Sequence, residues 1–300
     1  RSYTIPEATV DLYVQQNGSL EVTETLHYSF KGTYRGINRN IPLKSGEKIE
    51  NVNVSTNGAY SFLSVTNNST SMEYITVYLT SDELGTEPIT DRDVDVILTY
   101  EVINATTIYN DIAEVQYIVW GEYWDVPVGQ LTTNVHVPSQ NGVKYWLNPP
   151  YYVKSDNWQG SVLNVVTGNI SPGNFFEVRL AIPKDEFTNP VNARQVNITA
   201  LPEIEAIQQD YQGQINFYST LYYTLSILLL LSLLVPVCIY YKYGREPKPT
   251  YQGEYERDPP TDDPPAMVSA ISGKGIHKNV GTPGMDGFQA TIMDLINRGY

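Results

Sequence analysis

The chain has 300 residues, with 19 Lys and Arg against 33 Asp and Glu, for a formal net charge of −14. Residues 1–216 hold 12 of the bases and 25 of the acids, a net of −13, which argues against a nucleic acid or an anionic membrane surface as their ligand. The single cysteine, Cys238, rules out a disulfide framework, so a region of that size must be held by its own core.

Val10–Gln15 alternates polar and apolar, Gln16-Asn17-Gly18-Ser19 interrupts it, and Leu20–Phe30 alternates again. Asn-Gly between two period-2 runs predicts a hairpin. One face of the second run reads Leu20, Val22, Glu24, Leu26, Tyr28, so one carboxylate breaks an apolar row. Glu24 is expected at a rim, or paired with Arg35 or Arg39. His27 falls on the polar face and reads as a solvated histidine. Gly32–Pro42 reads as a turn-rich connection, since Pro42 cannot donate to a ladder.

Further strands are expected at Lys48–Ser55, Ser61–Val65, Glu73–Leu79, Asp93–Val102, Glu114–Trp120, Leu131–Val137, Lys144–Leu147, Ser161–Thr167, Phe175–Ile182 and Val196–Ala200. Short strands separated by turn signals, without an amphipathic helix among them, predict a mainly β, antiparallel β-sandwich head. It is one large sandwich, or two small ones divided near 104–112. The 24 tyrosines fit such half-wet pleated surfaces.

Pro202 opens a different pattern. Pro suits a first helical turn, and Glu203 and Glu205 suit the positive end of the helix dipole. Ile204, Ile207, Tyr211 and Ile215 recur at helical spacing, so residues 202–216 read as a helical stalk with one apolar face. Ser219–Tyr241 then carries no charged side chain. Its 23 residues make ~34 Å of helix, enough to cross a ~30 Å hydrocarbon core. A transmembrane helix is therefore expected over 217–243, continuous with the stalk and kinked at Pro236. Tyrosines at 218, 222, 223, 240, 241 and 243 sit where aromatic rings prefer the membrane interface.

Lys242, Arg245 and Lys248 follow the span directly, and excess base marks the cytoplasmic side. The expected topology is a cell-membrane, single-pass protein with residues 1–201 extracellular and 244–300 cytoplasmic. Since the chain starts at Arg1 with no export signal of its own, such a head implies a removed signal peptide. Seven Asn-X-Ser/Thr triplets, at Asn17, Asn53, Asn67, Asn68, Asn104, Asn169 and Asn197, all precede the span and read as N-glycosylation candidates of an extracellular glycoprotein.

Several stretches resemble the YciQ-like family of uncharacterised predicted membrane proteins (domain of unknown function 2207). They are NGSLEVTETLHYSF followed by Tyr34–Pro42, then LTYEV, WGEYWDVPV at Trp120–Val128, a strand ending VHVP, LAIPKDEF, and after the span YGREPKP and FQATIMDLINRGY. The resemblance covers nearly the whole chain. It implies a signal peptide, an outer β-rich domain, a membrane helix and a cytoplasmic portion, and it implies no activity. Family members commonly continue with more membrane helices, so this chain is expected to be a piece of a longer one.

Chemistry is sparse. No Ser/His/Asp or Cys/His set suggests an activated nucleophile, and no catalytic residue is assigned. His27, His136 and His277 are too dispersed for a metal site, and Asp91, Asp93, Asp95 and Glu87 lack the pattern of a calcium loop. No metal or other cofactor is expected. Glu21 with Glu24, or Glu122 with Asp125, would suit glycoside hydrolysis only if they shared a cleft. After the span, YQGEYERDPPTDDPPAMVSAI reads as an extended linker, and SGKGIHKNVGTPGMDG as a glycine-rich loop without phosphate-loop spacing. Phe288–Arg298 has helical spacing and reads as the start of a small helical domain.

Two aromatic clusters are the candidate contacts for a partner protein or a sugar: Trp120, Tyr123 and Trp124, and Trp146, Tyr151, Tyr152 and Trp158. Asn148–Tyr152 reads as a stiff exposed loop among them. The expected function is a non-enzymatic protein-binding or scaffolding subunit of a membrane or envelope assembly, its partners being the bilayer, other envelope proteins or itself. Two alternatives stay open, a transmembrane sensor acting through its cytoplasmic segment and an envelope carbohydrate-active enzyme.

Overall fold

A computed structural model describes residues 1–66, 71–245, 261–271, 281 and 284–300. They fall into two compact units, Arg1–Tyr222 and Tyr223–Tyr300, with no division near 104–112. The first unit is mostly β. In chain order its strands are β1 (Ser2–Val14), β2 (Leu20–Lys31), β3 (Thr33–Tyr34), β4 (Gly36–Pro42), β5 (Lys48–Asn57), β6 (Tyr60–Thr66), β7 (Met72–Thr80), β8 (Ile89–Thr90) and β9 (Asp93–Ile103). There follow β10 (Thr106–Ile108), β11 (Ala113–Trp120), β12 (Val128–His136), β13 (Lys144–Asn148), β14 (Val153–Gln159), β15 (Val162–Thr167), β16 (Phe176–Ile182) and β17 (Arg194–Gln195).

They build a seven-stranded sheet ordered β14-β15-β12-β1-β2-β9-β5, a five-stranded sheet ordered β13-β16-β11-β10-β17, a three-stranded sheet ordered β4-β7-β6, and the pair β3-β8. The β1-β2 hairpin forms at the Asn-Gly signal, where Gly18 takes a left-handed φ of 90°. Most pairings are antiparallel, but β1 runs parallel to β12, and β10 parallel to β17. Pro6 sits inside β1 where the β1-β2 register shifts between Thr4 and Ala8, which frees that strand from a missing donor. Opposite Pro6 lies Gly129, at which a Cβ would overlap the Pro6 carbonyl oxygen.

One apolar core takes side chains from all three larger sheets, among them Leu12, Leu26 and Leu98 of the seven-stranded sheet, Val115 and Leu180 of the five-stranded one, and Ile75 and Val77 of the three-stranded one. Gly32–Pro42, expected as turns, forms β3 and β4, with β4 paired along its length to β7. Val196–Ala200, expected as a strand, is irregular and leads into a helix.

That helix is α1 (Leu201–Ser232), which runs without interruption from the stalk into the apolar stretch. Its buried positions in the first unit are Ile204 and Gln208, while Ile207 is half exposed. The packed stripe therefore follows 204, 208, 211 and 215 instead of passing through 207. Ile204 joins Ile112, Ala181 and Ala200 in a second small core, flanked by Tyr109, Trp146 and Leu201. The helical stretch Leu201–Gly244 is the one among the described residues long and apolar enough to cross a membrane; an 18-residue window of it has a mean hydropathy of 2.2 and none of that window is buried.

The helix breaks at Leu233, before α2 (Leu234–Ile239), because Pro236 has no amide to offer the Ser232 carbonyl. A wider π turn, Tyr240–Gly244, follows. In the second unit α3 (Pro265–Ile271) and α4 (Met285–Asn297) pack where Gly287 leaves room for Ser269 and Ala266. The end of the expected extended linker is thus helical, with Pro265 at the first helical position. Lys248, His277 and most of the glycine-rich loop lie outside the described residues.

Candidate functional site

The carboxylate that interrupts the apolar row of β2 is at the centre of the first unit, not at a rim. Glu24 is 1% exposed and Arg39 4%. They meet fork to fork, with Arg39 Nε donating to Glu24 Oε2 and Nη2 to Oε1, both at 2.8 Å. The Tyr100 hydroxyl donates to Glu24 Oε1 at 2.6 Å, which leaves the Tyr117 hydroxyl as donor to Tyr100, also at 2.6 Å. Arg39 lies over the Trp124 ring, 5.1 Å from its centre, and Trp124 stacks on Trp120 at 4.3 Å. Burial works to strip the Arg39 proton, and Glu24 overrides it, so the guanidinium stays charged. Burial, then Glu24, pushes both tyrosines up. Chains of β2, β4, β9 and β11 are thereby joined by one buried ionic cluster.

The outward face of the five-stranded sheet is polar. Arg179 donates to Glu114 at 2.6 Å, Tyr109 donates to the same carboxylate at 3.2 Å, and Glu177 accepts from Gln116 at 2.9 Å and Asn148 at 3.2 Å. The start of α1 rests beside this face. Both oxygens of Asp111 accept from its first amides, Ala200 and Leu201, at 2.9 Å each, and Lys144 pairs with Glu205. Burial works to raise the Asp111 pKa, but those amides outweigh it and hold it below its usual value. Between helix and sheet runs a groove of ≈ 580 Å³, lined among others by Tyr145, Trp146, Asn148, Asp156, Gln208 and Gln212. Tyr145 donates to Asp156 at 2.7 Å and is pushed up to about 12 by burial and by that bond.

The three-stranded sheet supplies the surface that sequence reasoning missed. Its inner positions Ile75, Val77 and Leu79 are core, yet the outer positions of the same strands are also aromatic. Phe62 faces Tyr78 across β6 and β7, with Tyr60 and Tyr74 on the same face, and all four are 41–50% exposed. The loop 81–88 borders this face, and Gly85 lies against the Phe62 ring. It presents exposed Glu83, Leu84 and Glu87, and the Asp82 carboxylate braces it through the Thr86 and Glu87 amides at 3.0 and 2.7 Å. The signal was present as strands apolar on both faces.

The expected contact residues divide. Trp120 and Trp124 are buried and occupied by Arg39 and by each other, so neither forms a contact surface. Tyr123 is exposed. Trp146 is half-buried against the second core, Trp158 packs edge-on to Tyr145 at 6.0 Å, and Tyr151 meets Tyr152 at 4.7 Å with Tyr151 exposed. The Asn148–Tyr152 segment is not a free loop, since Asn148 and Pro149 are buried. His27 is not merely solvated, because Asp95 sits 2.6 Å from its Nδ1. Among the described residues no three His, Cys, Asp or Glu side chains are arranged to hold a metal ion. Glu24 is engaged by Arg39, which removes the Glu21/Glu24 pair as hydrolytic carboxylates, while Glu122 and Asp125 are exposed.

The glycosylation candidates divide as well. Asn53, Asn169 and Asn197 are exposed. Asn17 and Asn104 are half-buried, and the hydroxyl residues of their triplets, Ser19 and Thr106, are fully buried. Asn67 and Asn68 lie outside the described residues.

Residues 4–182 match the N-terminal domain of the predicted membrane protein family DUF2207, and residues 252–300 match its C-terminal domain. No curated relative matches the chain. Among solved structures, the M1 zinc metallopeptidase from Deinococcus radiodurans is similar over 60% of this chain and 42% of its own, at 11% identity and a TM-score of 0.39. Native leukotriene A4 hydrolase from Saccharomyces cerevisiae is similar over 60% and 29%, at 8% identity and a TM-score of 0.38. A putative protease from Parabacteroides distasonis is similar over 60% and 40%, at 14% identity and a TM-score of 0.35. This chain spans less than half the length of each.

Proposed function

The chain belongs to the DUF2207 family of predicted membrane proteins, and on that footing we propose that it is a single-pass surface protein whose head, residues 1–201, binds other membrane or envelope proteins. The observation that carries this reading is the aromatic face of β4, β7 and β6. Exposed Phe62, Tyr78 and Tyr60 beside Leu84, with Tyr74 further along the same face beyond Ser64 and Thr76, are of the residue types that dominate interface hot spots. The neighbouring loop is acidic, and residues 1–201 have a net charge of −10. The partner surface that fits is apolar at its centre and ringed by Lys and Arg.

The topology of this proposal follows the flanking charges. Residues 202–216 are the stalk, 217–243 the span and 244–300 the cytoplasmic segment, with a signal peptide removed on export and glycans on exposed triplets. Lys242 and Arg245 support this orientation. The test is gentle extraction of the parent and of an F62S/Y78S variant, followed by native mass measurement. A partner that stays with the parent and leaves the variant supports the reading. A strictly monomeric, partner-free parent, or a complex indifferent to the substitutions, overturns it.

The unbroken run of α1 from the Asp111 clamp into the apolar stretch favours a second reading, a transducer acting through residues 244–300. Deleting 244–300 separates the two, because scaffolding survives that loss and signalling does not.

A further inference from the structure

A second polar feature lies on the outward face of the five-stranded sheet. The turn after β4 delivers Lys44 there, and it is closed on itself by the Lys44 amide donating to Glu47 Oε2 at 2.8 Å and the Glu47 amide donating to the Lys44 carbonyl at 3.0 Å. Lys44 Nζ then donates to the Gln116 carbonyl in the middle of β11. An ammonium carries three donors, and among the described residues this one has a single acceptor. Burial lowers the Lys44 pKa against the pull of Glu47, Glu177 and Glu114, and Arg179 adds repulsion.

Around it opens a cavity of ≈ 280 Å³ lined by Lys44, Glu47, Tyr109, Glu114, Arg179 and Arg194, with Asn104, Thr107 and Gln116. At ~30 Å³ per water it has room for a small polar molecule and falls below the ~300 Å³ at which drug-sized pockets begin. Three cationic heads face two carboxylates. Glu114 is already committed to Arg179 and Tyr109, and Glu47 to the turn. The Arg194 guanidinium has no hydrogen-bond partner among the described residues. Glu177, just outside the lining, also acts on Lys44, so the charges nearly balance, and what the cavity offers is N–H donors of Lys44 and Arg194 that meet no acceptor among the described residues.

We propose that this cavity binds a small anion presenting two or more oxygens, the chemistry shared by carboxylates and phosphates. Half-buried Lys44 supplies the charge, with further donors from Arg194 and from Arg179, which Glu114 orients. Charge-assisted bonds of this kind are the strong ones, and a partly enclosed site screens them less than open water does.

The test uses the full chain in nanodiscs at constant ionic strength, with inorganic phosphate and malonate as probes and chloride as the control. Equilibrium dialysis of labelled probe reads binding. The expected result is saturable one-to-one uptake of at least one probe, weakened at least tenfold in K44M and severalfold in R194Q. Arg194 is exposed, so R194Q keeps the parental melting curve and decides the matter if K44M fails to fold. No saturable uptake of either probe, or uptake equal in parent and R194Q (an adventitious ion only), overturns the proposal.

Discussion

Replacing Glu24 with Gln keeps the shape of the central cluster and removes its negative charge. Arg39 would stay 4% exposed, still charged, and without its counter-ion. Breaking a buried pair from one side costs about 3–5 kcal/mol, because the remaining charge is left uncompensated in low dielectric. For a unit of this size each kcal/mol shifts the midpoint by ~2–4 °C, so E24Q should melt roughly 6–20 °C below the parent. The assay is a thermal melt of the full chain in mild detergent, followed by near-UV circular dichroism from the stacked Trp120 and Trp124. The E24L/R39M double variant supplies the control. It removes both charges and leaves Tyr100 bonded to Tyr117, so it should recover to within ~1 kcal/mol of the parent or exceed it. An E24Q midpoint within 2 °C of the parent would refute the reasoning, as would a double variant no more stable than E24Q.

Three further outcomes are expected. Asp111→Ala removes the cap on α1 and should cost about 0.5–2 kcal/mol, seen as faster hydrogen exchange over residues 201–212 without loss of the sheets. Since the Asp111 pKa is lowered in the folded chain, its contribution is complete above the unfolded value of ~3.9 and fades only as pH falls through the lower folded value; α1 that loosens between pH 5 and 8 would contradict this. Gly129→Ala forces a Cβ into the Pro6 carbonyl and should cost about 1–3 kcal/mol in a chemical denaturation midpoint. In a glycosylating host, intact mass before and after enzymatic deglycosylation should show glycans on Asn53, Asn169 and Asn197 and none on Asn17 or Asn104.

Strand alternation made most of the β-structure legible, and the long uncharged run made the apolar helix legible. The failures share a cause. Glu24 and Arg39 each look like a polar interruption on an apolar face, and only their meeting explains either one; Arg39 also hid β4, whose glycine and asparagines read as turns. In β14, most residues are exposed, so Lys154–Asn157 gives no periodic signal. Nothing local encodes that β1 runs parallel to β12, since direction is settled by the path between them. The stalk stripe shifted from Ile207 to Gln208 because packing beside Asn148 and Tyr145 accepts an amide there. The aromatic face was missed because Tyr74 and Tyr78 alternate with Ile75, Val77 and Leu79, and a strand apolar on both sides does not say which side is inside.

The partnership of β1 with β12 also sets a timetable. Ile5 pairs with Val128, so β1 can satisfy one edge with β2 almost at once, while its other edge must wait for more than a hundred further residues. At ~5–20 residues per second that delay is about 6–25 s, during which an unpaired, apolar strand edge stands open. A chaperone that shields β1 while synthesis proceeds would therefore raise the yield of folded protein.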